Sequence, residues 1–164
     1  MSDLLILTVG GTIDKVYFDA ASEYEVGEPT VTQVYQGAFV DLDYELLPLM
    51  RKDSLEMTAA DRALIREVCE NAEQDKILIT HGTDTMTQTA KSLLGITGKT
   101  IVLTGAMAPA HFRETDAMFN IGLATGAVQA SAAGVYIAMS GQVFPADNVQ
   151  KNLDRGRFEH LDKG

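Results

Sequence analysis

Leu4-Leu5-Ile6-Leu7-Thr8-Val9-Gly10-Gly11-Thr12-Ile13 is the stretch on which the fold turns. An apolar run from Leu4 to Val9 stops at two glycines, as a buried strand does before a turn. The same pattern recurs at Lys76 to Thr80, Thr100 to Thr104 and Gly134 to Met139, with a weaker strand at Tyr44 to Met50. Between them lie helical stretches. Thr58-x-x-Asp61 is a relative of the capping box, with Asp in place of Glu, and opens a helix whose Leu64, Ile65, Val68, Cys69 and Ala72 share a face. Further helices are expected from near Thr83 to Leu94 and from about Asp116 to Ala130. The segment from about Thr12 to Glu28 reads as a long loop or lid with scattered aromatics. The tail from Gly141 to Gly164 is polar.

Strands separated by helices imply an open, mostly parallel sheet covered by helices on both faces, an α/β three-layer sandwich of the Rossmann or flavodoxin-like type. The length of 164 residues fits one domain. Each chemically unusual cluster follows a strand: Gly10-Gly11-Thr12, Asp53-Ser54, His81-Gly82-Thr83-Asp84 and Gly105-Ala106-Met107. In such a sheet these positions gather at the carboxyl edge, where ligands bind.

Composition narrows the partners. A formal net charge of −10 argues against a nucleic-acid backbone or an anionic membrane surface. No apolar run is long enough to span a bilayer, and Met-Ser-Asp-Leu-Leu has neither the basic nor the apolar part of a signal peptide. The single cysteine, Cys69, suits a reducing compartment, so a cytoplasmic location is expected.

Taken singly, the motifs leave alternatives open. Gly10-Gly11-Thr12-Ile13 can present a hydroxyl from a strand end, or be a structural turn whose threonine bonds local backbone. It lacks the G-x-G-x-x-G of a dinucleotide site. In His81-Gly82-Thr83-Asp84-Thr85, Thr83 and Asp84 can face a substrate from a helix start, or Asp84 can simply cap that helix. Gly98-Lys99-Thr100 is no phosphate loop, because position 93 is Leu93 and the segment enters a strand. Lys99 is therefore expected at the surface. His81, His111 and His160 have no metal-ligand spacing, and no G-x-S-x-G is present. No metal or cofactor is expected, and the methionines read as core filler.

In order along the chain, Gly10-Gly11-Thr12-Ile13, Tyr24 within Glu23-Tyr24-Glu25-Val26-Gly27, Asp53-Ser54-Leu55-Glu56-Met57, His81-Gly82-Thr83-Asp84-Thr85-Met86, Gly105-Ala106-Met107-x-Pro109 and Lys151 resemble the bacterial-type asparaginase family. The resemblance runs to around Arg157. It implies hydrolysis of the side-chain amide of L-asparagine, with Thr12 as nucleophile and Tyr24 beside it on a mobile lid. It implies a second polar triad of Thr83, Asp84 and Lys151. Ser54 and Asp84 would hold the substrate's α-carboxylate and α-amino groups, and Gly11 and the backbone near Ala106 would also line the substrate, the latter against the reacting amide. A threonine hydroxyl is a weak nucleophile and needs a partner to take its proton. Tyr24 and the Thr83-Asp84-Lys151 group are both candidates. Backbone N–H groups at a helix starting near Thr83 would serve the oxyanion.

The departures also carry expectations. Val9 stands where the family often has threonine, and Leu55 where a polar, substrate-contacting residue is common. Residues 1–164 correspond to the family's N-terminal catalytic domain, without the C-terminal domain that in relatives adds contacts from a neighbouring subunit. A homo-oligomer, dimer or tetramer, is expected to complete the pocket, with substrate affinity loose at about 1 mM or weaker. Glutamine, or a glutaminyl group in a tRNA-amidotransferase system, is the alternative substrate, and a non-catalytic amino-acid-binding module the alternative class.

Overall fold

The computed structural model describes residues 2–18 and 23–161, with Tyr17, Phe18, Glu23 and Tyr24 described by backbone alone. The chain forms β1 (Leu4–Gly10), β2 (Lys15–Phe18), β3 (Glu23–Val26), α1 (Val31–Gly37), β4 (Tyr44–Lys52), α2 (Ala59–Asn71), β5 (Lys76–Thr80), α3 (Met86–Ser92), β6 (Thr100–Thr104), α4 (Ala117–Ala130), β7 (Gly134–Met139), β8 (Gln142–Pro145), β9 (Gln150–Asn152) and β10 (Arg157–Glu159). Six strands make one sheet in the order β4-β1-β5-β6-β7-β8. All pair in parallel except β8, which returns antiparallel along β7.

The alternation of strand side chains builds two cores. Leu5, Leu7, Ile77, Ile79, Ile101 and Leu103 point to one face, where Ile65 and Cys69 of α2 and Met86 and Ala90 of α3 cover them. Leu4, Ile6, Leu78 and Val102 point to the other, beneath Val31 and Tyr35 of α1 and Ile121, Ala124 and Val128 of α4. Two buried faces explain why β1, β5 and β6 are almost continuously apolar. The three-layer α/β sandwich is therefore the observed fold. The chain runs from β1 outward to β4 and then back to β5 on the other side of β1. The gap between β1 and β5 is thus the topological switch point, where open sheets of this kind bind ligands.

Three expectations need correction, and the tail gains strands. The segment from about Thr12 to Glu28 is not a plain loop. It forms a 3-10 turn (Thr12–Asp14) and the hairpin β2–β3, closed by Gly27 N–H donating to Asp14 O at 2.8 Å. Buried Asp14 anchors its base by accepting from the backbone N and Oγ1 of Thr30 at 2.9 and 2.8 Å. The helix after β5 starts at Met86, with Thr85 as N-cap, so Thr83 and Asp84 lie in a bend before it. The polar tail contains β8, β9 and β10. Lys99 is buried, its ammonium donating to Ala72 O at 2.7 Å and Gln74 O at 2.8 Å. The Thr58–Asp61 capping box is present in full, although Leu64 of that helix is exposed while Ile65 and Cys69 are buried.

Candidate active site

Three backbones meet at the switch point because two residues there have no side chain. Gly11 sits at φ 95° after β1, and a Cβ on it would lie 2.5 Å from Gly82 N. A Cβ on Gly82 would in turn lie 2.6 Å from Ser54 Cβ and 2.7 Å from Ser54 Oγ. Glycine is required at both positions, by conformation at Gly11 and by close approach at both. The contact joins Gly11, Gly82 and Ser54 from three distant parts of the sequence, with Thr12 and Thr83 the next residues after the two glycines.

Ser54 opens a 3-10 turn (Ser54–Glu56) at the end of β4 and is 2% exposed. Its Oγ accepts from Thr85 N at 3.3 Å, and its carbonyl accepts from Thr85 Oγ1 at 2.8 Å. Asp53 caps the same turn, accepting from Leu55 N at 3.0 Å, and its other oxygen accepts from Lys15 Nζ of the hairpin at 3.1 Å. The Leu55 amide, followed by the Lys15 ammonium, holds the Asp53 carboxyl below the usual carboxylate range. Leu55 itself points outward, 71% exposed.

The second cluster comes from β5 and the tail. Lys151 Nζ donates to Thr83 Oγ1 and to Asp84 Oδ1, each at 2.8 Å. Lys151 lies on β9 opposite Phe158 of β10, and Phe158 is sunk in the core. Opposite residues of an antiparallel pair share a face, so this register turns Lys151 to the same side as Phe158. Its side chain is 13% exposed and that of Asp84 42%, so the ammonium is sheltered while the carboxylate meets solvent. The structure thus joins Thr83, Asp84 and Lys151 directly. Ala106 is buried in the loop after β6. Tyr24 is paired through its backbone with Tyr17 in the hairpin, and the position of its side chain lies outside the described residues.

One supporting residue escaped the sequence reading. His81 is fully buried. Its Nδ1 lies 2.6 Å from Gly82 O and its Nε2 2.7 Å from Thr89 Oγ1, which also accepts from Arg62 Nε at 3.0 Å. A carbonyl can only accept, so Nδ1 carries the proton and Nε2 accepts from Thr89. Burial pushes the imidazole down to about 4, against an ordinary 6.5, and the ring is neutral at pH 7. His81 therefore fixes the Gly82 peptide on which Gly11 and Ser54 pack. The only sequence signal for this was its place directly after a strand.

Thr83, Asp84 and Lys151 thus meet at the switch point of an open α/β sheet, beside the turn that begins with Thr12, the edge at which α/β proteins of this class bind ligands. Comparison with known proteins names the family. The profile of the asparaginase N-terminal family matches residues 3–158, and the chain belongs to the asparaginase family. It is similar to a glutaminase-asparaginase of Pseudomonas fluorescens biotype A, 26% identical over 94% of this chain and 46% of the relative. The thermostable L-asparaginase from Thermococcus kodakarensis superposes with a TM-score of 0.82 at 25% identity, covering 98% of this chain and 52% of that one. A probable cytoplasmic L-asparaginase from Campylobacter jejuni does so with a TM-score of 0.81 at 28% identity, covering 100% and 54%. The chain thus spans about half the length of these relatives. Among the described residues, no helix is long and apolar enough to cross a membrane.

Proposed function

We propose that the chain hydrolyses the side-chain amide of L-asparagine to L-aspartate and ammonia through an ester on Thr12. The observation that carries this reading is the Lys151–Thr83–Asp84 contact at the switch point, beside the Gly11–Gly82–Ser54 packing that Thr12 directly follows in the chain. Thr12 Oγ would lose its proton to a neighbouring base and attack the amide carbon. The tetrahedral intermediate would expel the amine, protonated to ammonia. Water would then cleave the ester and release aspartate. Positioned proton transfer of this kind contributes about 10² to 10⁴-fold. Tyr24 and the Thr83–Lys151 pair are the two candidate bases.

In substrate binding, Asp84 already accepts from Lys151 through Oδ1, and its second oxygen can accept from the substrate's α-ammonium. Ser54 would serve the α-carboxylate. Glutamine is the alternative substrate, and the glutaminase-asparaginase name of the Pseudomonas relative favours keeping it. A cytoplasmic location belongs to the same proposal, in line with the Campylobacter neighbour's name. The test is ammonia release from L-asparagine and L-glutamine by the wild type and by Lys151→Met. We expect asparagine to be preferred and Lys151→Met to lose at least tenfold. A Lys151→Met variant with wild-type rates would remove the triad from the mechanism.

A further inference from the structure

The loop after β6 is held by a device that the reading above does not use. Asp116, at the N-cap of α4, turns its carboxylate back on the loop. Met107 N donates to both oxygens, at 3.0 and 2.9 Å, and Ala108 N donates to Oδ1 at 3.0 Å. One turn further along α4, Asn120 Nδ2 donates to Asp116 Oδ2 at 2.8 Å and to Gly105 O at 2.9 Å. Asn120 is buried. Two side chains one helical turn apart thus grip the peptides on both sides of Ala106.

The gripped loop touches the site at two further points. Gly105 presses on the His81 carbonyl so closely that a Cβ would collide with it. Downstream, Ala110 N donates to Ile13 O at 3.0 Å, within the 3-10 turn that begins with Thr12. The loop is therefore the mechanical link between α4 and the turn carrying the proposed nucleophile.

We propose that Asp116, with Asn120, is a positioning residue for amide hydrolysis, holding Ala106 and, through Ala110–Ile13, the Thr12 turn in register with each other. The proposal rests on the functional reading above. Hydrogen bonds to a carboxylate are roughly twice as strong as neutral ones, and three donated to a single group outweigh the freedom a short loop would otherwise keep. A small misplacement of reacting groups, about 1 Å, can cost about 10²-fold in rate. Asp116 touches no reacting atom in this account, so its effect passes through the loop.

The test uses Asp116→Asn and Asn120→Ala in the full chain, so that failure of one to fold leaves the other. Four quantities are read: kcat and KM for asparagine, the melting temperature, and hydrogen exchange at the Met107 and Ala108 amides. Asp116→Asn exchanges an acceptor for an amide group whose N–H donors face the same backbone donors. We expect both variants to lose roughly tenfold to a hundredfold, mostly in kcat, with faster exchange at the loop amides and a folded core. A purely structural role would lower the melting temperature and leave kcat per folded molecule unchanged. That result, or unchanged exchange at both amides, overturns the proposal. An active wild type with fully active variants sinks the clamp alone. A wild type that releases no ammonia from either amide sinks the functional reading, and this role with it.

Discussion

His81 ties the site's integrity to pH. Its imidazole is held neutral by burial and takes a proton only near pH 4, whereas an unfolded histidine does so near 6.5. Between those values the unfolded state binds the extra proton, so stability falls as pH falls through this window and levels off below it. A difference of that size corresponds to roughly 3 kcal/mol. Burial moves Asp14 the opposite way, raising its carboxyl, so acidification through its titration favours the folded form. Comparing the wild type with His81→Gln separates the two. Urea unfolding at pH 7 and pH 4.5 should show a steeper loss for the wild type than for the variant. Equal losses would mean that the ring is not held neutral. The other residues of the site obey the same close-contact logic: Gly11 and Gly82 are glycines because a Cβ on either would collide with its neighbour.

At the scale of elements, Lys99 makes the clearest case. Its ammonium, at the entry to β6, donates to the carbonyls of Ala72, at the C-cap of α2, and Gln74 in the turn beyond. Lys99→Ala would leave those carbonyls unsatisfied at a partly buried helix end, a cost of about 1–3 kcal/mol. Chemical denaturation should show that loss, with the specific activity of the folded protein unchanged. A neutral effect on stability would argue that water replaces the amine. Lysine is rarely buried unless paired, and the pairing of Lys99 with two backbone carbonyls leaves no mark in the sequence. The strands β1, β5, β6 and β7 were legible because runs buried on two faces are apolar throughout. The β2–β3 hairpin was not, since Lys15-Val16-Tyr17-Phe18 and Glu23-Tyr24-Glu25-Val26 are four-residue arms that mix charge with aromatics. Helix α1 offers only Val31 and Tyr35 as buried residues, too few for a periodic signal. Thr83, Asp84 and Lys151 could be joined only by resemblance, because the Lys151–Phe158 register that brings the lysine over is set by the tail's own pairing. Asp116 and Asn120 carry a sequence signal of their own, two polar residues one turn apart at a helix start.

For the whole molecule, the net charge of −10 opposes self-association across most faces. Helices α1 and α4 are the exception, for neither contains Asp, Glu, Lys, Arg or His, and Met118 and Phe119 of α4 are exposed. This uncharged side supports the proposal that the chain forms a homo-oligomer. Light scattering of the purified chain should give a mass of two or four copies, and a mass of one chain would contradict it. The central claim, however, concerns Thr12. The most direct measurement is ammonia release from L-asparagine by the wild type and by Thr12→Ala, with a thermal melt of both. Turnover by the wild type and none by a variant that melts as a folded protein is the predicted result. A folded Thr12→Ala variant that keeps most of the activity would contradict the account.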